Sequence, residues 1–168
     1  MPGILAYGGY LPYYRLQRSE IGAALGTPAG PAARAVAGYD EDTTSMAVEA
    51  GRVALAAAPP GSAPDVVYFA TADPAYADKT NATAIHAALG LDSAALAVDM
   101  AGAVRSGVGA VRAGLDAAGS GRVALVLLSD VRGGLPHTRH QHPVVGSESR
   151  LGASIDNRGR RRRADGSV

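Results

Sequence analysis

Leu96-Ala97-Val98-Asp99-Met100 runs straight into Ala101-Gly102-Ala103-Val104 and then Arg105-Ser106-Gly107. The first five residues read as a buried strand. The next four form a tight turn of small residues, and a helix follows from about residue 105 to 118. Turns of this kind between strand and helix are where α/β proteins present a nucleophile. Here the apex is Val104, and the 168-residue chain contains no cysteine. The segment therefore declares an architecture and leaves out the reactive group.

The same alternation extends to both sides. Upstream, residues 65–71 (Asp-Val-Val-Tyr-Phe-Ala-Thr) read as a strand and 72–79 as a loop. Thr80 or Asn81 then caps a helix through Leu89, closed by Gly90. Downstream, Gly119-Ser120-Gly121 ends the helix that leaves the turn, and residues 122–130 form a continuous apolar strand. Strands apolar on both faces, separated by helices, predict a sheet covered on both sides. Nearer the N-terminus, residues 3–10 predict a strand that breaks at Gly8-Gly9. Ser19 predicts the cap of a short helix through Leu25, and residues 27–38 read as a flexible Pro/Gly/Ala loop. Asp40-Glu41-Asp42-Thr43-Thr44 opens the clearest helix, where negative charge suits the helix dipole. Met46, Val48, Val53 and Leu55 supply its apolar positions, and Pro59-Pro60-Gly61 stops it. The expected fold class is α/β: a mixed, mostly parallel sheet with helices on both faces.

Composition narrows the function. One domain is expected from this length. With one Phe, no Trp and many Ala and Gly, its core buries little area per residue, so modest stability is expected. A net charge of +1 gives no bulk attraction for nucleic acid. Zero cysteine excludes disulfides, zinc thiolates, iron–sulfur clusters and a cysteine nucleophile. The first residues lack a basic segment and a long apolar run, and no apolar stretch reaches the ~20 residues that cross a bilayer. A cytoplasmic location without membrane partners is expected.

After residue 134 the text changes. His137, His140 and His142 cluster, periodicity is lost, and Arg158 and Arg160, Arg161, Arg162 and Arg163 crowd the end. Residues 1–134 are read as the folded domain and 135–168 as a disordered or frame-shifted tail. The histidine spacing could hold zinc or nickel only with ordered flanks, so no metal site is assigned. The arginine run reads as a solvated tail.

Four segments in register resemble the thiolase superfamily. They are residues 3–12 (Gly-Ile-Leu-Ala-Tyr-Gly-Gly-Tyr-Leu-Pro), residues 38–50 around Asp40-Glu41-Asp42-Thr43, residues 76–83 (Tyr-Ala-Asp-Lys-Thr-Asn-Ala-Thr) and the strand-turn from Asp99 to Gly107. The branch they resemble most is the 3-hydroxy-3-methylglutaryl-CoA synthase group, with ketoacyl-ACP synthase III as a near relative. The resemblance runs from about residue 3 to 130 and implies the N-terminal half of a thiolase-like fold.

It also implies what should stand at the site. The family's acyl-accepting cysteine falls on Val104. Its glutamate acid/base falls on Ala72, with Asp73 beside it as a candidate substitute. Its catalytic histidine belongs to the second half of the fold. Arg105, after the apex, and Arg34, in the Pro/Gly loop, are candidates for contact with CoA. Relatives dimerise through the N-terminal half, so an apolar, association-prone face is expected, with helix 105–118 among the buried ones.

Three functional readings follow. The first is a truncated, catalytically degenerate hydroxymethylglutaryl-CoA synthase-like protein. It would associate with acyl-CoA, or support a thiolase-type partner as a homodimer or hetero-oligomer. The second is an acyltransferase of the condensing class with a non-cysteine mechanism. The third is a non-functional gene fragment. No resident cofactor is expected, and a CoA thioester is the candidate ligand.

Overall fold

The computed structural model describes residues 2–132 and the backbone of residues 146–156. In chain order the elements are β1 (Gly3–Gly8), β2 (Tyr14–Gln17), α1 (Arg18–Leu25), β3 (Ala33–Val36), α2 (Thr43–Ala56), β4 (Val66–Thr71), α3 (Asn81–Ala88), β5 (Leu96–Ala101), α4 (Ser106–Gly119), β6 (Ala124–Arg132) and β7 (Gly146–Asp156). Five strands form one sheet in the order β1-β7-β6-β4-β5, and β2 pairs with β3 in a separate ribbon. Strand β4 runs parallel to both β5 and β6, whereas β7 runs antiparallel to β6 and to β1. The expected mixed, mostly parallel sheet is present.

Alternation along the central strands sorts the core into two layers. Val67 and Phe69 of β4 and Leu125 and Leu127 of β6 pack with Ala47 and Val48 of α2 and Ala82 and Ile85 of α3. The intervening Ala70 and Val126 face Ala110 and Ala118 of α4, with Tyr68, Met100 and Leu128 around them. Helices therefore cover both faces. Phe69, the chain's one phenylalanine, is fully buried, a burial that stabilises by roughly 1.5–3 kcal/mol. Small residues let the layers approach. A Cβ added to Gly8 would sit 2.5 Å from the backbone nitrogen of Ala54, so β1 lies directly on α2.

Helix α2 starts at Thr43, after a capping box rather than a bare crowd of acids. Asp42 Oδ1 accepts Ser45 N at 2.7 Å, and Ser45 Oγ accepts Asp42 N at 2.9 Å. Glu41 turns away from the helix. Its carboxylate accepts the Tyr10 hydroxyl and the amide of Gly38, tying the end of β1 to the segment before α2. Of the predicted apolar positions, Met46 and Val48 are buried, but Val53 is 48% exposed.

Two expectations are corrected. Ser19 does not cap α1, which begins one residue earlier after Gln17 without a side-chain cap. Residues 27–38 are not all loop, because Ala33–Val36 pairs with Tyr14–Gln17. That ladder uses backbone groups only, so its Pro/Gly/Ala surroundings conceal it. Within residues 135–168, Gly146–Asp156 form β7, which lies between β1 and β6. Leu151, Ala153 and Ile155 recur with the strand period of two, but Ser, Glu, Arg and Gly dilute the pattern. One partner, β1, is far away in sequence, with Gly3 opposite Asp156, while β6 is the preceding strand, with Arg132 opposite Gly146. The sheet thus draws on residues beyond 134. His137, His140, His142 and Arg158 to Arg163 lie outside the described residues.

Candidate functional site

Chain segments leave β4, β5 and β6 at the same edge of the sheet, the C-terminal ends of its parallel strands. Open α/β sheets bind their ligands at this edge. The β4–β5 ladder pairs Thr71 with Ala101 and continues one step further, where Gly102 N donates to Thr71 O at 3.1 Å. Gly102 then takes φ 101°, a conformation that a side chain disfavours. Ser106 N donates to Ala103 O at 2.9 Å and Val108 N to Arg105 O at 3.0 Å, which closes the turn into α4. The predicted strand-to-helix elbow is therefore present, and Val104 stands on it 61% exposed. A side chain at this apex meets solvent or a ligand.

Beside the elbow runs the loop of residues 72–80. Ala72 N donates to Asp130 Oδ1 at 2.6 Å, and Thr71 Oγ1 donates to the same oxygen at 3.2 Å. Asp73 is held by its main chain: its N–H donates to Thr71 Oγ1 at 3.1 Å, and its carbonyl accepts Thr43 Oγ1 at 2.8 Å. The residue itself is exposed. Further along, the Lys79 ammonium sits 3.6 Å from the centre of the Tyr76 ring. Asn81, at the start of α3, bonds both to Tyr76 in this loop and to Asp99 on β5.

The sequence-predicted residues divide as follows. Ala72, Asp73, Val104 and Arg105 all lie at the C-terminal edge, joined by the Thr71–Gly102 contact. Arg105 is exposed at the position before the first residue of α4 and makes no capping bond. Arg34 is elsewhere, half-buried on β3 in the two-stranded ribbon. His86 lies in the last turn of α3, with Nε2 2.8 Å from the carbonyl of Asp92. Among the described residues, no group of three or more His, Cys, Asp or Glu side chains is placed to hold a metal ion. A cleft of about 340 Å³ lies at the opposite end of the molecule, between the 59–64 segment and Leu91, away from the elbow.

Sequence reasoning missed the supporting carboxylates and the amide. Asp99 was a charge inside an otherwise apolar strand, and that anomaly was the available signal. In the sequence, Asn81 reads only as a helix cap and Asp130 as the end of a strand.

The elbow helix is not wholly covered. Ala110, Gly114, Ala117 and Ala118 face the sheet. Val104, Val108 and Val111, spaced to share one side, are 61, 73 and 39% exposed. The expected buried helix is thus buried on one face only among the described residues. Leu96, on the edge strand β5, is exposed as well. Among the described residues, no helix is long and apolar enough to cross a membrane.

Comparison with known proteins matches this arrangement. The hydroxymethylglutaryl-CoA synthase of Pyrococcus furiosus is 39% identical over 90 residues, 52% of this chain and 26% of that protein. That of Aeropyrum pernix is 40% identical over 97 residues, 53% of this chain and 27% of the other. The chain thus matches only about a quarter of the length of these curated relatives. Among solved structures, an HMG-CoA synthase complexed with CoA superposes with a TM-score of 0.81 at 20% identity, over 94% of this chain and 42% of that one. The 3-oxoacyl-(acyl carrier protein) synthase III of Pseudomonas aeruginosa PAO1 gives 0.75 at 24%, over 92% of this chain and 50% of that one. No family profile matches the chain. These likenesses establish the fold: the chain has the architecture of the N-terminal half of a thiolase-like protein.

Proposed function

We propose that this chain is a hydroxymethylglutaryl-CoA synthase-like protein that holds a CoA thioester at the C-terminal edge of its sheet without taking the acyl group onto itself. The observation that carries this reading is Val104 on the elbow of a chain without cysteine. Covalent catalysis needs an atom with an available electron pair at that apex, and an isopropyl group has none. Ala72, where the resemblance places the family's acid/base, has no proton to move. The fold, the exposed elbow and the likeness to an HMG-CoA synthase complexed with CoA support the binding half of the proposal. On this reading the chain is catalytically degenerate, and its place is beside acyl-CoA enzymes rather than among them.

The exposed valines of α4 and the open edge of β5 support association with a second copy or with a thiolase-type protein. Calorimetric titration with CoA and with acetyl-CoA tests the ligand. Heat saturating at one site per chain is expected. No heat with either compound would remove acyl-CoA from the account.

A further inference from the structure

We infer that Asn81 and Asp99 are positioning residues for this ligand edge: together they hold the 72–80 loop beside the elbow, so ligand affinity depends on them although neither touches the ligand. The inference rests on the ligand reading above.

The Asn81 side chain is 1% exposed and uses its full hydrogen-bonding capacity. Its Oδ1 accepts Tyr76 N at 2.9 Å and Thr44 Oγ1 at 3.1 Å, while its Nδ2 donates to Tyr76 O and to Asp99 Oδ2, both at 3.0 Å. One amide therefore joins α2, the loop and β5. Asp99 completes the joint. Its Oδ2 also accepts Asn81 N at 2.7 Å, and its Oδ1 accepts Ala82 N at 2.6 Å. These are N–H groups of the first turn of α3, which an isolated helix leaves unsatisfied. Thr80, at the cap position, provides no side-chain bond. The cap comes instead from a carboxylate on the elbow strand, with the sign the helix dipole favours.

The loop shows why this matters. From Ala72 to Thr80, every residue but Pro74 is exposed, so the loop has almost no core of its own. Its order derives from hydrogen bonds to Asp130, Thr71 and Thr43 at one end and to Asn81 at the other. All five buried polar side chains among the described residues are Thr43, Thr44, Thr71, Asn81 and Ser129. Four of them stand at the first residues of α2 and α3 or the last residue of β4, and Ser129 lies near the end of β6. Ser129 Oγ has no hydrogen-bond partner among the described residues, but the other four are bonded to one another or to the loop, and a polar network satisfied in this way selects one geometry more sharply than apolar packing does. Here the selected geometry is that of an exposed loop next to the elbow. Holding such a wall in place before the ligand arrives removes an ordering cost from binding.

The test combines hydrogen exchange with calorimetry, using CoA and acetyl-CoA, on wild type, Asn81→Ala, Asp99→Ala and Asp99→Asn. Ile85→Ala serves as a control that weakens the α3 packing without touching the network. Asn81→Ala and Asp99→Ala should deprotect the loop amides and weaken CoA binding by about tenfold. Asp99→Asn, which keeps one acceptor oxygen, should fall between them and wild type. Ile85→Ala should lower the melting temperature and leave the affinity of the folded protein unchanged. Loop deprotection with unchanged affinity overturns the positioning role and leaves the ligand reading standing. Equal affinity loss in Ile85→Ala also overturns it, since general destabilisation would then suffice. A wild type that binds neither compound overturns the ligand reading and the positioning role with it, while the exchange data still show whether the network orders the loop.

Discussion

Gly102 donates its amide hydrogen to the carbonyl of Thr71 at 3.1 Å, one step beyond the last paired residues of β4 and β5. That bond places the elbow and the 72–80 loop at one edge, and it requires Gly102 to hold φ 101°. Gly102→Ala should therefore cost about 1–3 kcal/mol of stability, from backbone strain rather than crowding. Among the described residues, no atom beyond its chain neighbours lies within 4 Å of the position its Cβ would take. Urea denaturation measures the loss, and an unchanged midpoint would show that the turn adapts.

The capping box of α2 makes a second expectation. Asp42→Ala removes the acceptor of Ser45 N and should destabilise by about 1 kcal/mol, or about 2–4 °C in melting temperature for a domain of this size. Asp42→Ser keeps an acceptor oxygen and should lose much less. Equal losses in the two variants would mean that charge, not the hydrogen bond, holds the helix start.

Tyr10 predicts a pH dependence at the alkaline end. Its hydrogen bond to the Glu41 carboxylate, then burial, then the charges of Glu41, Glu49 and Asp40 raise its phenol above the ordinary 10.0. The folded state thus favours the neutral hydroxyl more than the unfolded state does. The resulting stabilisation is fully present below pH 10.0 and is lost as the pH rises through the raised folded value. Unfolding free energies between about pH 8 and about pH 11 should decline more steeply in wild type than in Tyr10→Phe. Identical slopes would contradict the assignment.

Val104→Cys tests whether the elbow still has the electrostatics of a nucleophile site. A thiol there would sit just before the first turn of α4 and next to Arg105, which favours the thiolate. Its alkylation rate should titrate below the ~8.5 of a free cysteine. A midpoint at or above that value would mean that the scaffold no longer supports an anion at the apex.

The layout of the central sheet was legible because its signals are local. Leu125 and Leu127 sit in a continuous apolar run, and Gly90, with φ 62°, ends α3 where a glycine is expected. The ribbon of β2 and β3 and the strand β7 were not legible. Ala33–Val36 and Gly146–Asp156 are strands because of the backbones they pair with, and their own residues carry only a diluted strand pattern. The site was legible in the same uneven way. Small residues announced the elbow at Val104, and the resemblance placed Ala72 and Asp73 beside it. Arg34 falls in a Pro/Gly/Ala segment that reads as loop, and it stands on a strand of the other sheet. The Asn81–Asp99 joint is a tertiary contact across 18 residues, and only the lone charge in an apolar strand hinted at it.

The central claim is that the chain binds a CoA thioester and is not acylated by it. Native mass spectrometry of the wild-type protein with acetyl-CoA, followed by denaturation of the same sample, tests both halves at once. The account predicts a complex of protein and intact acetyl-CoA in the native spectrum and an unmodified chain after denaturation. An acetyl group that survives denaturation, or the absence of any complex, would contradict it.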